Sequence, residues 1–158
     1  PPHSHKGHLS VLLSEMDKIK PNKDTNIAKA LHECAEKTNK KGLIILISDL
    51  MDDENDIVKG LKHFIYKGHE VIIFHVLDPQ EVKFNFKERI RFKDLESTQE
   101  IITDPRQLQK NYRKKVKEFM DFYKLECGKL RIDYVPLSTD QSLDVALSEY
   151  LLKRKKLN

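Results

Sequence analysis

The chain has 158 residues, 39% of them hydrophobic and 34% charged, and a formal net charge of +4; that is enough for one soluble domain with its own core. No stretch reaches the roughly 18 apolar residues of a membrane span, and Pro1-Pro2-His3-Ser4-His5 lacks the apolar centre of a signal peptide. The 29 basic and 25 acidic side chains are interspersed, which reads as solvated helix faces rather than a nucleic-acid stripe. Neither nucleic acid nor membrane is therefore expected as a partner of this segment.

His3, His5 and His8 open the chain as a flexible lead-in that could take a metal. Leu9, Leu12, Leu13, Met16 and Ile19 follow helical spacing, and Pro21-Asn22 stops that helix. Asp24, Thr25 and Asn26 are N-cap residues for a second helix, with Ile27, Leu31, Cys34 and Ala35 on its buried face. Residues 43–47, Leu-Ile-Ile-Leu-Ile, form a strand apolar on both faces, the habit of a covered parallel strand. Asp52 or Asp53 caps a third helix with Ile57, Val58, Leu61, Phe64 and Ile65 inward, closed by Gly68 in the left-handed conformation. A second apolar strand, residues 71–76, completes a strand-helix-strand unit.

Residues 81–103 alternate polar and apolar and read as short antiparallel strands appended to the parallel core. Asp104-Pro105 starts a long helix, striped by Leu108, Tyr112, Val116, Phe119, Tyr123 and Cys127 and running to about Gly128. Residues 131–137 give a third core strand. Thr139-Asp140 is expected to cap a last helix with Leu143, Leu147, Tyr150 and Leu151 inward. Lys153-Arg154-Lys155-Lys156 suits a helix C-terminus. Cys34 and Cys127 have no partner at metal or redox spacing, so both are expected as buried thiols in a reducing, cytoplasmic setting.

Asp49 stands at the carboxyl end of the first strand, where α/β sheets collect ligands. With Asp52 and Asp53 just beyond, its oxygens suit Mg²⁺ or Mn²⁺, although capping accounts for Asp52 and Asp53. Ser48 lacks a nucleophile elbow. His69 and His75 read as structural hydrogen-bonders, and Gly-rich phosphate loops, H-E-x-x-H and C-x-x-C are absent from the sequence.

Gly7-His8-Leu9, residues 24–31 (Asp-Thr-Asn-Ile-Ala-Lys-Ala-Leu), Leu46-Ile47-Ser48-Asp49-Leu50, Lys67-Gly68-His69-Glu70-Val71 and residues 74–81 (Phe-His-Val-Leu-Asp-Pro-Gln-Glu) together resemble the bacterial domain-of-unknown-function family 58, DUF58. That family is similar to von Willebrand factor type A domains, which implies a Rossmann-like sheet over residues 1–158 as a single domain. It also implies an adhesion-type metal site in which Thr25 and Asp49 resemble the later threonine and aspartate. Nothing here matches the D-x-S-x-S loop of that site. The sequence is therefore expected to be the C-terminal portion of a longer protein, with an incomplete site and metal only in the intact parent. The resemblance implies a protein-interaction module, with a MoxR-type AAA ATPase as partner.

Two other readings stand beside it: a metal-dependent, phosphate-handling α/β enzyme with Asp49 as ligand and Asp78 as a second carboxylate, and an inactive folded remnant. In the type A sheet order the strand at 43–47 would lie at an open edge. Such an edge calls for a second copy or a rearranged N-terminal segment to cover it.

Overall fold

The computed structural model describes residues 7–20, 26–85, 90–93, 100–103 and 105–155. In chain order these form α1 (His8–Asp17), α2 (Ile27–Lys37), β1 (Leu43–Ser48), α3 (Glu54–Tyr66), β2 (Glu70–Leu77), α4 (Pro79–Lys83), β3 (Ile90–Lys93), β4 (Glu100–Thr103), α5 (Pro105–Leu130), β5 (Asp133–Ser138) and α6 (Leu143–Lys155). The architecture is α/β, a three-stranded parallel sheet flanked by helices. Its strand order is β1-β2-β5, with Ile44 beside Val71, Ser48 beside His75, and Ile73 beside Tyr134.

Alternation along β2 divides its apolar run between two cores. Val71 and Ile73 join Leu31 and Ala35 of α2, Ile57, Leu61 and Phe64 of α3, and Tyr123 and Cys127 of α5, while Ile72 and Phe74 meet Leu137 and Ala146 on the other face. Burial, with a further push from the neighbouring Glu126 carboxylate, raises the Cys127 thiol to about 12, an inert core thiol. Between α2 and α3 the helices touch at Gly60, where an added Cβ would stand 2.8 Å from the Leu31 Cβ.

Local chemistry sets the ends of α3. The Asp53 carboxylate accepts the Asp56 N–H at 3.0 Å, and Gly68 at φ 79 closes the helix as expected, with the His69 N–H donating to the Phe64 carbonyl. His69 is buried, and its Nδ1 accepts the Gly42 N–H at 3.2 Å, tying the start of β1 to that of β2.

The antiparallel pair lies within the span expected for it, β3 to β4 with Ile90 beside Thr103. It starts later, however, because Pro79 to Lys83 is helical. Asp78 and Glu81 form a capping box around Pro79, and Phe84 at φ 44 ends the turn. Those paired end bonds outweigh a weak alternation of apolar residues. Four residues expected in the core are exposed. Cys34, Leu143, Leu151 and Leu108 all face solvent: Cys34 lies where α2 borders the edge strand β1, α6 seats only its Ala146, Leu147 and Tyr150 ridge on β2 and β5, and α5 enters the core through Phe119, Tyr123 and Cys127, beyond Leu108. Thr139 and Asp140 form a turn before α6 rather than its cap. The helix α1 forms where expected, yet buries none of its residues. Among the described residues, no helix is long and apolar enough to cross a membrane.

The strand β1 departs most from what its composition suggests. Ile44 and Leu46 pack against the core, but Leu43, Ile45 and Ile47 are 48%, 51% and 67% exposed. Among the described residues β1 pairs with β2 alone. A strand with the composition of a sheet interior thus occupies a sheet edge.

Candidate functional site

At the carboxyl end of β1 the chain turns through 49–53 into α3. Ser48 and Asp49 build this turn. The Ser48 Oγ accepts the Leu50 N–H at 3.0 Å, and Asp49 Oδ1 accepts the Met51 N–H at 3.2 Å and faces the Ser48 hydroxyl at 3.4 Å. Ser48 is thereby a turn residue, while the Asp49 side chain stands exposed at the rim.

Leu50 adopts φ 58 with its side chain fully buried. Burying a leucine gains about 1.5–3 kcal/mol, more than the roughly 1–2 kcal/mol that a left-handed non-glycine residue costs. The core therefore dictates the turn. Asp52 crosses to another element: its Oδ2 accepts the Ile27 N–H at 2.9 Å and its Oδ1 the Asp53 N–H at 2.8 Å, so these amides hold its carboxyl below the usual range. Asp53 is the cap of α3, settling the choice that sequence left open, whereas α2 is capped by Asn26, whose Oδ1 accepts the Lys29 N–H at 2.6 Å, with Asp52 as an added acceptor at its first turn.

Beneath the turn lies a buried polar network. His75, fully buried at the end of β2, donates Nε2–H to the Asp49 carbonyl at 3.0 Å, and its Nδ1 accepts the Tyr134 hydroxyl at 2.6 Å. The Tyr123 hydroxyl reaches the Leu50 carbonyl at 3.4 Å. A carbonyl can only accept, so the first bond fixes the tautomer and makes Tyr134 a donor. Burial lowers the pKa of His75 and raises those of both phenols, keeping all three neutral. The structural role expected of His75 holds. Its partners could not be read from sequence, since Tyr134 lies 59 positions away.

Thr25, the other residue of the expected metal pair, lies outside the described residues, as does Asp104. Asp49 can be judged with its neighbours. Hard divalent cations take six or so oxygen ligands, and no group of three or more His, Cys, Asp or Glu that could hold a metal occurs among the described residues. Asp49 and Ser48 alone do not make up such a set. Asp78, the second carboxylate of the enzymatic reading, is committed to a turn: Oδ1 accepts the Gln80 N–H at 2.7 Å and Oδ2 the Thr139 hydroxyl at 3.1 Å.

A groove of about 310 Å³ runs alongside β1. It is floored by Ile44 to Ser48 and walled by Ile27, Ala30, Leu31 and Cys34 of α2. Its lining is mainly apolar, and it runs beside the edge of β1 that pairs with no strand among the described residues. Of the face that sequence spacing assigned to the core, Leu31 and Ala35 are buried in it and Ile27 packs against it, while Cys34 is exposed and lines the groove.

A family model described as "Protein of unknown function DUF58" matches residues 1–120. No curated protein and no solved structure matches the chain.

Proposed function

The chain belongs to the DUF58 family, and from that premise we propose that it is a protein-interaction module of type A-like architecture, acting in the cytoplasm. One observation carries the reading: β1 presents an unpaired edge with apolar side chains on both faces, beside an apolar groove. Exposed flat edges of this kind recruit another strand. The strand carries no charge, proline or bulge that would deter pairing.

For the isolated chain the occupant we assign is a second copy. A two-fold axis through Ile45, normal to the sheet, pairs β1 with its mate antiparallel. It sets Leu43 opposite Ile47 and Ile45 opposite itself, so three exposed side chains from each copy align on one face. The family resemblance supports a MoxR-type AAA ATPase as the physiological partner, with Thr25 and Asp49 contributing to an adhesion-type Mg²⁺ or Mn²⁺ site only in a chain that supplies the remaining oxygen ligands.

Sedimentation velocity tests this reading. The parent chain is expected to sediment as a dimer and Ile45→Lys as a folded monomer with unchanged circular dichroism. A parent that stays monomeric across the accessible concentration range overturns the edge assignment, as does an Ile45→Lys variant that still dimerises.

A further inference from the structure

The packing of α2 on α3 brings two imidazoles together on the solvent side. His32 of α2 and His63 of α3 have their Nδ1 atoms 3.2 Å apart, with ring centroids at 4.5 Å and planes at 80°. Both backbones are fixed by the contact of Gly60 with Leu31, one residue before His32 and three before His63. Loops have no part in holding the pair. The two Nδ1 atoms stand within hydrogen-bond distance of one another, in a contact open to water and easily exchanged.

From this geometry we infer that His32 and His63 form a two-imidazole site for a late first-row divalent cation of the Zn²⁺ or Cu²⁺ kind, clipping α2 to α3. Two nitrogens bound at about 2.0–2.1 Å to one tetrahedral cation stand roughly 3.4 Å apart, and roughly 2.9 Å apart at a right angle; the observed separation lies between. Imidazole is the ligand these cations favour, and it discriminates against Mg²⁺ and Ca²⁺. Among the described residues no third His, Cys, Asp or Glu completes a cluster, so water fills the other positions and the site remains open to exchange. This site is separate from Asp49 and independent of the edge of β1.

The test uses the full chain with His3, His5 and His8 changed to Ala, so that the N-terminal histidines take no metal. Zinc chloride titrated by calorimetry is expected to bind once per chain, with His32→Ala and His63→Ala each weakening binding at least tenfold. Added zinc is expected to raise the unfolding midpoint of the parent and leave that of either variant unmoved. With one equivalent of Cu²⁺, electron paramagnetic resonance should show coupling to two imidazole nitrogens. Zinc binding that survives in the His32→Ala, His63→Ala double variant overturns the proposal, as does a parent that shows no saturable binding or a spectrum with one nitrogen.

Discussion

The strands β1 and β2 are near twins in sequence and opposites in setting. Each carries a run of consecutive large apolar residues, Leu43 to Ile47 in one and Val71 to Phe74 in the other. In β2 every one of them is buried, on both faces. In β1 only Ile44 and Leu46 reach the core, and the alternate three face solvent. The same chemistry thus stabilises the molecule at one position and leaves adhesive surface at the next. What separates the two is the number of neighbours: among the described residues two strands flank β2 and one flanks β1.

That contrast can be broken at its centre. Truncating Ile73→Ala or Phe64→Ala removes a fully packed side chain and is expected to cost about 2–5 and about 3–5 kcal/mol respectively in urea unfolding. A loss below about 1 kcal/mol at both sites would show that the face of the sheet covered by α3 and α5 is not the core.

Next comes the network that joins the two strands. His75→Phe keeps most of the ring volume but leaves the Asp49 carbonyl and the Tyr134 hydroxyl without their partner. We expect a loss of about 2–4 kcal/mol, since each buried orphan costs about 1–3 kcal/mol. Tyr134→Phe, which orphans only the His75 Nδ1, should lose less.

The same histidine predicts a pH dependence of similar origin and smaller size. Its folded pKa lies below that of the unfolded chain because burial disfavours the imidazolium. The unfolded state therefore binds the proton first, and stability falls as pH drops below about 6.5 toward the folded pKa, by at most about 1.4 kcal/mol per pH unit. His75→Phe should flatten this part of the profile. An unchanged slope in that variant would assign the dependence to other groups.

The smallest effect sharpens the comparison from the other side. In the monomeric Ile45→Lys background, Ile47→Ser on β1 is expected to change stability by less than about 0.5 kcal/mol, although the isoleucines of β2 are fully packed. A loss above about 2 kcal/mol would mean that the outer face of β1 is covered in solution.

Much of the fold was legible in the chain because it rests on local pattern. Helical spacing located α2, α3 and α5, Gly68 marked the end of α3, and the pair of apolar runs announced a parallel unit. The short helix α4 was missed because Val82, Phe84 and Phe86 alternate, and the capping box that overrides them spans only Asp78 to Glu81. At the candidate site, Asp49 could be found by its place after a strand. The support beneath it could not, because Tyr123, Tyr134 and His75 meet only once three separate elements are packed.

The sequence by itself located most of the strands and helices, and marked residues 43–47 and 71–76 as apolar strands, since periodicity and end chemistry act within a few residues. The edge position of the strand at 43–47 was expected from the family resemblance and holds among the described residues, but only the tertiary structure decided that Asp52 binds the first turn of a helix other than its own and that His32 meets His63. Each of those depends on where distant segments come to rest, and the free energy that sets those positions is summed over the whole packed core rather than written in any one stretch of it.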